Sequence, residues 1–266
     1  MNSKWNDFFE RGFGAAWDLL IDIPLPQALR PESGRRPQAD PLLTAAAFPL
    51  IGFVTGLLLL TVGKLFLAVL PLRAAAVAFM LLTAAWMECK DHGRGLGLLV
   101  NFLSSRFRGE PADRALRQLS ADLDGSRGAI PSAVLSVLVI FKLATYYLIF
   151  VNHLGAMLPA ALILGFTMQG ELAALAEPGS LPAAIDDAGL KAMRLTAGFC
   201  LLFTLLFAPL AVLSATAAAV LLATGIRFRL LRSGDEVNDR VITLAGVMVE
   251  TLVLFAALLF ALGGAQ

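Results

Sequence analysis

Residues 44–70 limit this chain most: they form an apolar run interrupted by one charge, Lys64. At about 1.5 Å per residue, a helix of that length outspans the roughly 30 Å hydrocarbon core of a bilayer. Lys64 lies close enough to the end of the run to reach the interface by snorkelling. Further apolar runs follow at 72–87, 129–151, 154–168 and 241–262, and Pro71 makes a tight turn between the first two. Inside lipid the backbone must satisfy its own hydrogen bonds, so such runs become helices. The chain is therefore expected to be an all-α, polytopic integral membrane bundle with six or seven transmembrane helices, forming a single membrane domain over residues 1–266.

The ambiguous stretch is 196–226, long for one span and short for two, with Pro209 placed either to kink a tilted helix or to sit near a turn. Composition agrees with lipid as solvent: 15% of residues are charged, against about 25% in soluble domains. A net charge of +1 gives no reason to expect a nucleic-acid partner. Residues 8–23 carry Glu10, Arg11, Asp18 and Asp22, too many charges for a span, and read as an amphipathic helix lying at the interface until Pro24 and Pro26 end it. No short apolar stretch with a small-residue cleavage site precedes it, so no cleavable signal peptide is expected. A disulfide between Cys89 and Cys200 is not expected, because one stands among charges and the other inside an apolar run.

Orientation follows the basic loops. Residues 88–127 carry Lys90, Arg94, Arg106, Arg108, Arg114, Arg117 and Arg127. Residues 225–240 carry Arg227, Arg229, Arg232 and Arg240, and the early loop carries Arg30, Arg35 and Arg36. All three are expected on the cytoplasmic side. The more acidic loop 171–194 reads as external, which requires 196–226 to be one span. Within the long insertion 88–127, residues 96–103 are apolar enough to dip into the interface and 111–123 can form a surface helix.

Four constellations can carry chemistry. In Met87-Glu88-Cys89-Lys90-Asp91-His92-Gly93-Arg94, a continuing helix would put Glu88 and His92 on one face with Asp91 beside them, a set suited to a divalent cation or simply to a helix end reaching water. Asp122-Leu123-Asp124-Gly125-Ser126-Arg127 can cradle a metal and a phosphate, or cap the next helix. Lys142 lies well inside its span, where a lysine needs a partner in the bundle unless it snorkels. Asp235, Asn238 and Asp239 lead into the last span, and Glu250 stands midway along it; Lys142 is a candidate partner for Glu250. His153 reads as a plain loop histidine and Glu171 as a helix-end boundary. No phosphate-binding Gly-Lys-Ser/Thr loop, His-Glu-x-x-His or Gly-x-Ser-x-Gly is present.

The order of these motifs resembles cobalamin synthase, the adenosylcobinamide-GDP ribazoletransferase family. Ala15-Ala16-Trp17-Asp18-Leu19-Leu20-Ile21-Asp22-Ile23-Pro24-Leu25-Pro26 resembles the family's N-terminal phrase. Ala47-Phe48-Pro49-Leu50-Ile51-Gly52-Phe53-Val54-Thr55-Gly56 is similar to its Phe-Pro-Leu-Val-Gly-x-x-x-Gly stretch. Asp124 is followed four residues later by Gly128-Ala129, Lys142 falls where the family has a lysine, and Gly234-Asp235 leads into a helix with Glu250. The match covers nearly the whole chain in order. It departs from the family at residues 87–97, where His-x-Asp-Gly-x-x-Asp-x-x-Asp-Gly is lost, and the C-terminal Gly-Gly-x-Thr-Gly-Asp is reduced to Ser233-Gly234-Asp235.

The resemblance implies a transferase of the bacterial inner membrane, its active-site loops cytoplasmic, with residues 88–127 contributing the site. It would join adenosylcobinamide-GDP to α-ribazole or its 5′-phosphate and release GMP. Mg²⁺ would be the cofactor, with Glu88, Asp91, Asp122 and Asp124 as its ligands. His92 is a further ligand or a base, and His92, Asp124, Arg127 and Lys142 form the catalytic set. Arg94, Asp235, Asn238, Asp239 and Glu250 would bind substrate. Membrane lipid surrounds the chain, and the other enzymes of the pathway or a second copy of the chain are candidate protein partners. Two other readings stay open: a catalytically silent homologue that binds corrinoid or serves assembly, and a small transporter using Lys142 and Glu250 as a coupled pair.

Overall fold

A computed structural model describes residues 8–21, 40–91, 93–112, 114–115, 129–175, 185–233 and 237–263. They are helical almost throughout, with no strand among them. A π-helical turn, Phe8–Phe13, leads into α1, Gly14–Leu20. The bundle follows as α2 (Pro41–Val69), α3 (Leu72–Cys89), α4 (Arg94–Phe107), α5 (Ala129–Val151), α6 (Met157–Ala173), α7 (Asp187–Leu205), α8 (Pro209–Ser233) and α9 (Asp239–Gly263). Six of these, α2, α3, α5, α7, α8 and α9, are long and apolar enough to cross a membrane; α6 is apolar but shorter.

The short helix is the centre of the bundle. Every residue of α6 from Met157 to Phe166 is buried, and it packs most extensively on α2 and α9. Glycines permit the close approach. A Cβ on Gly52 would meet the Leu162 carbonyl carbon at 2.7 Å, and one on Gly56 would meet Pro159 Cα at 2.4 Å. Helices in lipid gain from packing and dispersion rather than from a hydrophobic drive, so small residues at crossings matter most. Gly56→Ala is therefore expected to destabilise by about 1–3 kcal/mol, since the obstacle is backbone and cannot rotate away. Gly198→Ala, where a Cβ meets nothing within 4 Å, should be neutral or slightly stabilising. Equilibrium unfolding of both variants in mixed detergent checks the contrast.

These contacts also fix direction. Gly52 and Gly56 of α2 meet α6 at Leu162 and Pro159, while Gly165 and Gly170 of α6 meet Glu250 and Met193. Phe53 of α2 meets Phe203 of α7 edge-on at 5.4 Å, and Gly189 of α7 lies against Ala45 of α2. So α2, α5, α7 and α9 begin at one end of the bundle, and α3, α6 and α8 finish there.

The stretch 196–226 is thus two helices, not one span. Residues 206–208 form the turn and Pro209 opens α8, where a missing N–H costs nothing. The two helices find their length in polar turns outside the apolar run: α7 begins at Asp187 and includes Lys191 and Arg194, and α8 continues through Arg227, Arg229 and Arg232. Against the one-span reading, which requires the opposite end, the described ends of loop 171–194 therefore emerge at the same end as the arginine-rich segments. That end, called the basic end below, also carries Arg94, Arg106, Arg108, Arg114 and Arg240. The other end has short turns at 70–71, 152–156 and 206–208, with His153 exposed in one of them.

The N-terminal helix is amphipathic, burying Phe13, Ala16 and Leu20 and exposing Arg11 and Asp18. It is tied to the start of α2, where the Thr44 hydroxyl and the Asp40 N–H both donate to the Arg11 carbonyl. Most apolar residues of 96–103 pack into the bundle. Leu96, Leu98, Leu99 and Val100 of α4 bury against Val134 and Leu138 of α5 and Leu244 and Val247 of α9. Most of the surface helix expected at 111–123 lies outside the described residues. Both cysteines are free.

Candidate functional site

The site begins with a helix stop. α3 ends at Cys89, and Gly93 takes φ 72°, a left-handed conformation that a side chain disfavours. Gly93 N–H donates back to the Glu88 carbonyl, and Asp91 Oδ2 accepts the Gly95 N–H at 2.9 Å, fastening the first turn of α4. The expected shared face of Glu88 and His92 requires a helix that continues past Cys89, and α3 ends there. His92 itself lies outside the described residues.

The turn points Lys90 inward. Its ammonium donates to Glu250 Oε1 at 2.5 Å, with side chains only 4% and 3% exposed, and lies 5.0 Å from the Phe166 ring centre. Glu250 stands three turns into α9, about 16 Å along its axis. Gly165 clears the space for its side chain, since a Cβ there would come within 2.5 Å of Glu250 Cγ. The expected pairing of Glu250 with Lys142 is therefore corrected. Lys90, just past the end of α3, reaches Glu250, and Lys142 finds a different carboxylate.

That carboxylate is Glu88, whose Oε1 accepts from Lys142 Nζ at 2.7 Å. The lysine side chain is 8% exposed and the glutamate 31%. Lys142 does not snorkel. Pro131, Val134, Leu138, Lys142, Thr145 and Ile149 form the buried stripe of α5, so the lysine occupies an interior position. Tyr146, one turn further along α5, is fully enclosed, and its hydroxyl has no hydrogen-bond partner.

Asp91 completes the group. Burial holds its carboxyl above the ordinary 3.8; Lys90 and the Gly95 N–H pull it down, and Glu250 and Glu88 push it up. Its Oδ1 is buried without a partner. Folding thus favours the protonated form. That contribution to stability is complete below 3.8 and is lost as pH rises through the raised value. In metal-free buffer, the stability of the wild type relative to Asp91→Asn should fall as pH rises above 3.8 and then level off. Unfolding measured across pH in detergent checks this, and a difference independent of pH would contradict it.

The structure therefore brings together Glu88, Asp91, Lys142 and Glu250 from α3, the following turn, α5 and α9. Arg94 and Asp239 pair nearer the basic end at 2.5 Å, both half exposed. Asn238 caps α9 through Oδ1 on the Val241 N–H. His92, Asp122, Asp124, Arg127 and Asp235 lie outside the described residues. Among the described residues no group of three or more metal-ligating side chains forms. Mg²⁺ commonly takes one or two protein carboxylates plus phosphate oxygens, so half-exposed Glu88 and the free Oδ1 of Asp91 fit a partial ligand set.

Sequence reasoning missed Lys90, Tyr146 and Phe166. The signal for Lys90 was present: Phe79, Thr83, Met87 and Lys90 continue one helical stripe. It also missed Glu171, which is no mere boundary but accepts from Arg194 and Arg227. Searches of protein-family profiles, curated proteins and solved structures return no match to this chain.

Proposed function

We propose that the chain is a membrane-embedded transferase of the cobalamin synthase type, joining adenosylcobinamide-GDP to α-ribazole or its 5′-phosphate and releasing GMP. One observation carries the reading. Three stretches that bear the family resemblance, or stand where its motif is altered, meet in a single ionic cluster: the 87–97 turn, Lys142 and Glu250. A buried cluster of this kind, facing the bundle interior, is costly in lipid and marks function by default.

The chemistry follows from the charges. A nucleoside hydroxyl attacks the phosphorus on the corrinoid side of the diphosphate, a P–O bond forms, the P–O bond to GMP breaks, and the hydroxyl proton passes to a base. Negative charge develops on the phosphoryl oxygens and on the leaving GMP. Lys142 would meet that charge, because its present partner Glu88 is the less enclosed of the two paired carboxylates. Lys90, enclosed on Glu250 and Phe166, would hold the floor of the site. Arg94, Asn238 and Asp239 would line its rim, Asp235 and Arg127 would close it over the phosphates, and His92 is the candidate base. Bound Mg²⁺, held by Glu88, Asp91, Asp122 and Asp124, would supply charge neutralisation for the diphosphate.

The excess of arginine at the basic end supports a cytoplasmic site in a bacterial inner membrane. Complementation tests the function: a strain lacking cobalamin synthase, supplied with cobinamide and lower base, is expected to grow when it carries this chain. It should fail with Asp124→Asn at equal membrane expression. Growth unaffected by Asp124→Asn would remove that residue from the site.

A further inference from the structure

A second site lies away from the ionic cluster. Between α7 and α8, floored by α6, is a cleft of about 480 Å³ lined by Leu164, Met168, Ala197, Gly198, Ala219 and Val220 among others. Small residues on the facing helices hold it open, and it reaches the outer surface at Gly198 and Val220. Around that opening stand Phe199, Leu202, Leu213 and Leu221, all exposed and apolar, the surface a bilayer would cover. The cleft therefore opens sideways into lipid.

Its head is charged. At the basic end of the cleft Glu171 accepts two hydrogen bonds from Arg194, one at 2.7 Å from Nη2, and one from Arg227 Nη1 at 3.2 Å. One carboxylate thus faces two guanidiniums, leaving a local excess of one positive charge. Each arginine has five N–H donors, so both keep donors that Glu171 does not take. Their side chains are 52% and 40% exposed, reachable from the membrane surface. Asp187, two turns nearer the helix start, acts on Arg194 only from a distance.

Length identifies the occupant. Thr216 and Arg227, at the two limits of the cleft on α8, stand about 16 Å apart along the axis. One leaflet of bilayer hydrocarbon is about 15 Å deep. We propose that this cleft is a binding site for an anionic phospholipid of the leaflet at the basic end, its phosphate between Arg194 and Arg227 and one acyl chain along α6. Basic pockets between membrane helices bind such headgroups by the same complementarity.

The test uses the full chain purified in detergent, with phosphatidylglycerol and phosphatidylcholine of matched chains as probes and native mass spectrometry as readout. The wild type is expected to retain phosphatidylglycerol about tenfold more strongly than phosphatidylcholine, the scale of one charge-assisted contact. Arg194→Gln with Arg227→Gln should abolish that preference. Gly198→Trp, placed where a new side chain meets no neighbour within 4 Å, should reduce retention of both lipids. Leu195→Trp, on the exposed outer face, should leave retention unchanged. Excess inorganic phosphate should not displace the lipid; displacement would make the site one for free phosphate and overturn the proposal. Equal retention of the two lipids by the wild type would overturn it too. If the double arginine variant does not fold, Gly198→Trp decides alone: undiminished phosphatidylglycerol retention contradicts the site, and loss supports it.

Discussion

Glu250→Leu alone is expected to cost about 3–5 kcal/mol of stability, because it leaves the Lys90 ammonium enclosed without its counter-charge. Lys90→Met alone should cost a similar amount by stranding Glu250. The double variant should regain most of that loss, since an apolar pair of similar volume removes the burden of keeping two charges out of water. The face of Phe166 beneath Lys90 offsets only part of the single-variant loss, as a desolvated cation–π contact is worth about 2 kcal/mol. A double-mutant cycle in reversible detergent unfolding measures the coupling. Additive losses would mean that the two side chains are not a pair.

Lys142→Met should behave in the opposite way. Its partner Glu88 is partly exposed rather than enclosed, so the stability loss should be smaller than for Glu250→Leu, about 1 kcal/mol. Activity should fall roughly 10²–10³-fold, the usual effect of removing one group that meets transition-state charge. The loss should appear in kcat rather than in KM alone, since a group merely anchoring substrate would raise KM with kcat unchanged. Wild-type kcat in a folded Lys142→Met protein would remove this residue from catalysis. The two lysine variants would thus separate a structural role from a chemical one within one cluster.

The spans were largely legible because lipid leaves the backbone so few choices; the exceptions lie where polar turns extend helices beyond the apolar runs. Arg194 and Arg227 sit inside helices, and hydropathy alone stops short of both. Lys142 and Glu250 were readable as interior charges from their depth. Their partners were not, because partnership depends on the relative height of helices, which is set by where α3 stops. Gly93 sets that stop, and its effect on Lys90 is tertiary. Glu171 looked like a boundary because its two arginines come from helices that a one-span reading merges.

Reconstitution tests whether this cluster transfers a phosphoryl-linked group. Purified chain in proteoliposomes would be given adenosylcobinamide-GDP, α-ribazole and Mg²⁺, and GMP release measured alongside corrinoid product. The expected result is GMP and adenosylcobalamin in equal amounts, dependent on α-ribazole and lost in Lys142→Met. Absence of both products from folded wild-type protein, under conditions where an established cobalamin synthase turns over, would contradict it.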